Sequence, residues 1–378
     1  MKTKLLVVFS GYNERAIIAL LRSATANGIR FAIIASCEKD RIFRTGYARD
    51  VTAVRKTTAL DFEDIVACVH EVRRKTNCGK IIVAPSSEAL NRHFLIYRDQ
   101  YANIGCTIPL VNRELYERVS DKYKFGEMCK KHGIHVPKEY DIEELSEYPF
   151  VAKPRQYQGA LTNVVERPVI VRTPSEKDQF FRTYSVSAYY FQEFVRGRSI
   201  YLLYTIDRSG NVQAFSQENV AQQPGGKSIV AAVPASAHNT PMGDQFKSML
   251  LTEGFFGLIM IEVRTDDSEY WMIEANPRMW GPSQLVVDSK SGIFEAFFEM
   301  TDIKAFTKNI SLCERSMDAK YFWYGGITTT DGDFDALDYY PTRQSLTDIK
   351  VHLRDWLAFD MYRRNDTQKI YELETRTE

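Results

Sequence analysis

Strand-like apolar runs alternate with helix-like segments through roughly the first 115 residues, and this alternation restricts the fold more than any other feature. Leu5 to Phe9 is a run of five apolar residues, the pattern of a strand buried on both faces. Glu14 to Ala26 carries Ile17, Ile18, Leu20, Leu21 and Ala24 at helical spacing. Phe31 to Ala35 predicts the next strand and Val51 to Val54 another. Asp61 suits the N-cap of a helix that carries Ile65, Val66, Val69 and Val72 and stops at Asn77-Cys78-Gly79. Lys80 to Ala84 is again a buried-strand run, and Ser86-Ser87-Glu88 opens another helix. Strands and helices in this order with short loops make a doubly wound parallel sheet. Such sheets bind ligands beyond the carboxyl ends of their strands, which here means the loops Ser10 to Asn13 and Pro85 to Glu88. For each loop a plain turn and a substrate contact are equal readings. Neither a Gly-x-Gly-x-x-Gly fingerprint nor a Gly-x-x-x-x-Gly-Lys-Ser/Thr phosphate loop is present.

From Ser120 the pattern changes. Asp121 to His132 reads as a helix, ended by Gly133 with Pro137 just beyond. Tyr148 to Lys153 is a short strand stopped by Pro154, and the loop Arg155 to Thr162 separates it from two short elements, Val164 to Arg172 and Ser175 to Tyr184. Tyr189 to Val195, Ser199 to Asp207, Val212 to Gln217 and Ser228 to Val233 are alternating runs rich in β-branched and aromatic residues. With a hairpin-type turn at Arg208-Ser209-Gly210-Asn211, they predict an antiparallel sheet. A helix bearing Phe246, Met249, Leu250 and Leu251 precedes Phe256 to Arg264, and a turn at Asp266-Asp267 leads into Tyr270 to Ala275. An α/β half is thus followed by an α+β half.

Composition removes several function classes. Lys plus Arg and Asp plus Glu both number 49, so no bulk basic field exists for nucleic acid or an anionic membrane. Apolar residues at 44% and charged ones at 26% allow a sizeable core. The longest apolar stretches fall far short of the ~20 residues that span a bilayer. The N-terminal apolar run is five residues long with no small-residue cleavage site after it, which argues against a signal peptide. Six cysteines lie scattered without a Cys-x-x-Cys pair, so zinc spacing is absent and reduced thiols are expected. These features predict a cytoplasmic protein with neither nucleic acid nor membrane as partner. A homodimer is compatible with an enzyme of this size.

The chemistry-bearing stretch is Ile261-Glu262-Val263 together with Trp271-Met272-Ile273-Glu274-Ala275-Asn276-Pro277-Arg278. The turn between them makes the two strands neighbours. Strand period puts Glu274 and Asn276 on one face, and Glu262 on the partner strand can face the same way. Two carboxylates and an amide oxygen suit Mg²⁺, which completes its shell with water and substrate phosphates. The alternative is an amphipathic hairpin with its polar face in water. Glutamate within an otherwise apolar strand is costly unless paired or metal-bound. Arg278, just beyond, can neutralise a transferring phosphoryl group. Lys153, after the apolar or small residues Phe150-Val151-Ala152, is unusual for a surface strand, where it would otherwise guard an edge.

These motifs, in this order over about residues 1 to 300, resemble the ATP-grasp superfamily, which includes carbamoyl-phosphate synthetase and biotin carboxylase. The resemblance implies Mg²⁺ (with Mn²⁺ as a substitute) held by Glu262, Glu274 and Asn276, with Arg278 near the γ-phosphate of ATP. Gly254-Phe255-Phe256-Gly257 looks like the family's approach to that site. Ser-Asp-Lys-Tyr-Lys-Phe, followed by Gly133-Ile134 and Pro137, resembles its entry helix, where Lys122 takes the place of a phosphate-contacting base. Lys153 matches a second phosphate-contacting lysine. Gln192-Glu193-Phe194-Val195-Arg196-Gly197 resembles the segment that holds adenine, with Glu193 or nearby backbone at the adenine edge. The chain departs from the family twice. The glutamate that often meets the ribose is missing from Arg198-Ser199-Ile200-Tyr201, so that contact is either replaced, with Ser199 as the candidate, or lost. The lid loop Gln156-Tyr157-Gln158-Gly159-Ala160 holds one glycine, Gly159, as its phosphate-approaching residue. Gly225-Gly226-Lys227-Ser228 resembles a loop near the acceptor substrate, where Lys227 either touches a carboxylate or phosphate or is a solvated turn lysine.

The implied architecture is an ATP-grasp fold of α/β and α+β parts. A Rossmann-like pre-ATP-grasp domain spans 1–118. The entry helix and mobile lid span 119–192. An antiparallel ATP- and Mg-binding subdomain spans 193–305, and an α/β extension without assigned role, including an amphipathic helix over Asp348 to Leu357, spans 306–378. The implied activity is that of a ligase: a carboxylate is activated as an acyl phosphate with release of ADP and then joined to an amine. A kinase or synthetase with another acceptor, and an ATP-binding protein without turnover, are the alternatives.

Overall fold

The computed structural model describes residues 3–141, 145–155, 168–225, 227–266, 268–303, 316–323, 326 and 338–339. The first part is β1 (Lys4–Phe9), α1 (Glu14–Ala26), β2 (Phe31–Ala35), β3 (Val51–Val54), α2 (Phe62–Thr76), β4 (Lys80–Val83), α3 (Glu88–Ile96), α4 (Arg98–Asn103) and β5 (Cys106–Thr107). Its strands pair in parallel in the order β3-β2-β1-β4-β5. The anticipated N-caps form: Asp61 Oδ1 accepts from the Asp64 amide at 2.8 Å and Ser87 Oγ from the Leu90 amide at 3.4 Å. Strand alternation divides β1 between two cores. Leu5, Val7 and Phe9 join residues of α2 and α3 in one, while Leu6 and Val8 join α1 in the other.

The chain continues through α5 (Arg113–Ser120) and α6 (Lys122–Lys131) into a four-stranded antiparallel sheet. That sheet contains β6 (Glu139–Tyr140), β7 (Phe150–Pro154), β8 (Val169–Val171) and β9 (Tyr189–Glu193), in the order β6-β9-β7-β8. The segment Ser175 to Tyr184, whose type the sequence leaves open, belongs to helix α7 (Pro174–Thr183), which starts on a Thr173 cap with proline in its first turn. This sheet has a core of its own, in which Phe150, Ala152, Phe180, Tyr189 and Phe191 pack together.

The largest sheet is antiparallel and contains β10 (Arg198–Ile206), β11 (Val212–Gln222), β12 (Ile229–Ala235), β13 (Gly257–Thr265) and β14 (Tyr270–Asn276). Helix α8 (Pro241–Thr252) links β12 to β13. Helices α9 (Gln284–Asp288) and α10 (Ile293–Met300) and the short strands β15 (Tyr321–Phe322) and β16 (Asp338–Tyr339) follow. The order is β14-β13-β10-β11-β12-β15, with β16 on β11. Strand β11 runs five residues beyond the Gln217 boundary expected from sequence, through two register shifts near Ala221. Both large cores cross from the parallel sheet into this one. Ile200, Leu202 and Tyr204 of β10 belong to the first, Tyr201 and Leu203 to the second. Among the described residues no helix is long and apolar enough to cross a membrane, and Cys37, Cys68, Cys78, Cys106 and Cys129 are free thiols. The helix expected over Asp348 to Leu357 lies outside the described residues, as does Gly159.

Candidate active site

The hairpin β13–β14 builds one wall of a cleft. Thr265 pairs with Tyr270, Arg264 with Trp271 and Val263 with Met272, after which the register slips by one residue, so that Glu262 stands opposite Glu274. Ile273 is the extra residue of this bulge. Met272 and Ala275 enter the first core, whereas Ile273 and Glu274 both face the cleft. The bulge also frees the Ile273 carbonyl, and Lys153 Nζ donates to it at 3.2 Å. Lys153 is only 6% exposed. Burial, reinforced by the nearby Lys122 charge, lowers its ammonium to about 7.

Lys122 enters from α6. Asp121 caps that helix by accepting from the Lys124 amide at 2.9 Å, which sets Lys122 as its first residue. From there Lys122 forms an ion pair with Glu274 Oε2. Asn276 Nδ2 donates to Glu274 Oε1 at 2.9 Å, and Arg278 Nη2 donates to Asn276 Oδ1 at 3.1 Å. Burial works to raise the Glu274 carboxyl, but Lys122, Asn276 and Arg278 outweigh it and hold the group below the usual carboxylate range. Glu262 is 6% exposed, and burial raises it despite Arg264, whose Nη2 lies 3.5 Å from Glu262 Oε1.

Glu193, at the end of β9, and Phe194 and Val195 after it line the same cleft, as do Val151 and Lys153 of the neighbouring β7. Gln192 pairs with Val151 and shares its face. Its Oε1 is buried without a hydrogen-bond partner among the described residues. The segment then passes Gly197, whose φ of +121° and lack of a Cβ let it cross the end of β13; a Cβ there would lie 2.4 Å from the Thr265 carbonyl oxygen. Lys227 is exposed at the cleft with Gly225 and Gln222, and Gln222 Nε2 donates to the Lys227 carbonyl at 3.2 Å. Ser199 lies elsewhere: it is fully buried beneath Glu262 and donates to Glu262 Oε1 at 2.9 Å. Arg264 and Gln222 also line the cleft, and the sequence reading missed both. Arg264 lies two residues past Glu262 on the same strand, a period-two signal that was available.

The two loops flagged at the carboxyl ends of the parallel strands meet each other and the chain just past Arg278. Asn13, in left-handed conformation, donates from Nδ2 to the Ser86 carbonyl at 3.2 Å and to the Met279 carbonyl at 3.0 Å. The parallel sheet therefore abuts the exit of the Glu274–Arg278 segment.

Residues 119–282 match the family model described as the ATP-grasp domain. The chain carries an ATP-grasp domain. No curated protein matches the sequence. Three solved structures are similar in fold across most of their length. Biotin carboxylase from Campylobacter jejuni aligns with a TM-score of 0.59 at 14% identity, covering 83% of this chain and 74% of that one. The biotin carboxylase domain of 2-oxoglutarate carboxylase from Hydrogenobacter thermophilus, in complex with MgADP, ADP and bicarbonate, gives 0.61 at 15% identity, covering 85% and 73%. N5-carboxyaminoimidazole ribonucleotide synthetase from Thermus thermophilus gives 0.57 at 13% identity, covering 78% and 77%. The ATP-grasp domain, from the entry helix α6 through β14, thus contains both lysines and both carboxylates of the cleft.

Proposed function

We propose that the chain is an ATP-dependent ligase that activates a substrate carboxylate as an acyl phosphate, releases ADP and transfers the acyl group to an amine. The observation that carries this reading is the convergence of Lys122, Lys153, Glu262 and Glu274 in one cleft with the 193–195 segment. Two carboxylates there face each other across a ladder, and two lysines reach the same corner from different elements.

The donor set fits Mg²⁺. Glu262 and Glu274 supply hard oxygen ligands, with the Asn276 amide next along the strand. Two carboxylates and an amide suit an ion whose shell is completed by water and phosphates. Such an ion supplies positive charge to the phosphate oxygens. In this reading Lys122 and Lys153 neutralise the same phosphates, Arg278, joined to the site through Asn276, meets the charge of the transferring group, and Glu193 to Val195 offer backbone edges to adenine. Lys227 lies at the acceptor mouth. Carboxylate oxygen attacks the γ-phosphorus and ADP leaves. The amine nitrogen then attacks the acyl carbon, loses a proton, and phosphate leaves. Positioning and charge neutralisation are the protein's share of such a transfer. The Hydrogenobacter domain, solved with MgADP and bicarbonate, supports a nucleotide and a small carboxylate-like acceptor as ligands.

The test is ADP and phosphate release from Mg-ATP against pools of amino acids, small carboxylates and amines, with Glu274→Ala as control. Release that requires both a carboxylate and an amine, and that vanishes in the variant, supports the ligase. Release without an amine points to a kinase-like acceptor, and AMP as product overturns the acyl-phosphate route.

A further inference from the structure

One face of the largest sheet carries an apolar patch: Leu203 of β10, Phe215 of β11, and Leu258 and Met260 of β13 pack into the second core. Toward the cleft this face turns polar while staying buried. Gln217, Asn219 and Ser199 are 0% exposed and Glu262 is 6% exposed. The ladder sets them in two cross-strand rows, Gln217–Tyr201–Glu262–Glu274 and Asn219–Ser199–Arg264.

A hydrogen-bond chain runs through these rows. Gln217 Nε2 donates to Asn219 Oδ1 at 2.7 Å, Asn219 Nδ2 to Ser199 Oγ at 2.9 Å, and Ser199 Oγ to Glu262 Oε1 at 2.9 Å. Its direction follows from the carboxylate. An ionised Glu262 only accepts, so Ser199 must give it the hydroxyl hydrogen. The Ser199 oxygen is then left to accept, which turns the Asn219 NH₂ toward it and the Asn219 oxygen toward the Gln217 NH₂. The chain ends at Gln217 Oε1, a buried acceptor with no partner among the described residues. An apolar residue at 217 would remove that cost, so packing alone does not account for the glutamine. Among the described residues, the hydrogen bond from Ser199 and the ion pair with Arg264 both fall on Glu262 Oε1.

We infer that Asn219 and Gln217, acting through Ser199, are positioning residues for Glu262: they pin Oε1 and fix the carboxylate plane, which leaves Oε2 for a divalent cation. This rests on the metal-dependent reading of the cleft. Partners that orient a metal-ligating carboxylate typically matter by 10- to 100-fold in metal affinity.

The test uses the full chain with Mn²⁺ as the probe. Free Mn²⁺ is followed by electron paramagnetic resonance in the presence of ADP, and ADP binding is measured separately without metal. Asn219→Leu keeps the volume but gives Ser199 no donor, and Ser199→Ala removes a single oxygen and carries the test if the leucine variant fails to fold. Both are expected to raise the Mn²⁺ Kd by roughly 10-fold or more while leaving metal-free ADP affinity within about twofold, with Ser199→Thr close to wild type. A Mn²⁺ Kd unchanged in folded variants, or an equal loss of metal-free ADP binding, overturns the inference. If wild-type protein itself binds no Mn²⁺ with ADP, the metal-dependent reading falls, and the inference falls with it.

Discussion

Glu262 and Glu274 stand directly opposite each other on adjacent strands, yet their surroundings push them apart in acidity. Burial raises Glu262, whereas Lys122 and the Asn276 amide overcome burial at Glu274 and lower it. Lys122 reaches Glu274 from α6 and Arg264 lies beside Glu262 on β13, so removing one cation exposes the repulsion.

Lys122→Met should therefore weaken nucleotide turnover on two counts, by losing the phosphate contact proposed for it and by leaving Glu274 without its ion-pair partner. The expected loss in kcat/KM for ATP is on the order of 10²-fold or more, with Lys122→Arg recovering part of it. Steady-state ADP release across an ATP titration measures this. Variants that keep wild-type kcat/KM would remove Lys122 from the site.

Lys153→Met separates stability from function. A lysine 6% exposed whose Nζ contacts a carbonyl rather than a carboxylate is an expensive buried charge. The variant should unfold at higher urea, by on the order of 1–2 kcal/mol, and bind ATP at least roughly tenfold more weakly. Urea midpoints and nucleotide titrations read the two effects independently, and a destabilised variant would contradict the argument.

Gly197→Ala should cost more than Gly225→Ala, although both glycines have positive φ. A Cβ at Gly197 meets backbone 2.4 Å away, whereas at Gly225 nothing lies within 4 Å. The first change should destabilise by roughly 2–4 kcal/mol and the second by about 1 kcal/mol. Equal unfolding free energies would mean that the 194–197 segment shifts without penalty.

His93 sets an acid limit on the parallel-sheet half. It is buried against Tyr101, whose hydroxyl lies 2.8 Å from His93 Nε2, and burial lowers its imidazole to about 4. Unfolded histidine takes up a proton near ~6.5, so between ~6.5 and about 4 the unfolded state binds more protons. Stability is therefore full above that window and falls as pH drops through it, by roughly 2–3 kcal/mol. In His93→Gln this slope should flatten in urea unfolding followed from pH 8 to 4. A slope that persists unchanged would assign the acid sensitivity to other groups.

The parallel half was legible because its signals are local. The run Leu5 to Phe9, the Asp61 cap and the Ser87 cap each act within a few residues, and β1, α2 and α3 form where these signals put them. The site was legible only in part. Glu262 and Glu274 were readable as neighbours, but counting back from the turn places Ile273, not Glu274, opposite Glu262, and only the bulge restores the pairing. A bulge in a run of apolar residues leaves no compositional mark. The chain from Gln217 to Ser199 was invisible for a similar reason: it joins residues of β10 and β11 through a register that no single strand encodes.

The two large cores pass without a break from the parallel sheet into the largest antiparallel one, while the four-stranded sheet packs around a separate nucleus of aromatic rings. Rotation between the first two sheets would shear packed side chains on both sides at once. Rotation of the third would leave both large cores intact and break contacts along its rim, such as that of Lys153 with the Ile273 carbonyl. Among the described residues, the wall that faces Glu262 and Glu274 thus packs on a nucleus of its own, which makes it the part expected to move with the least repacking.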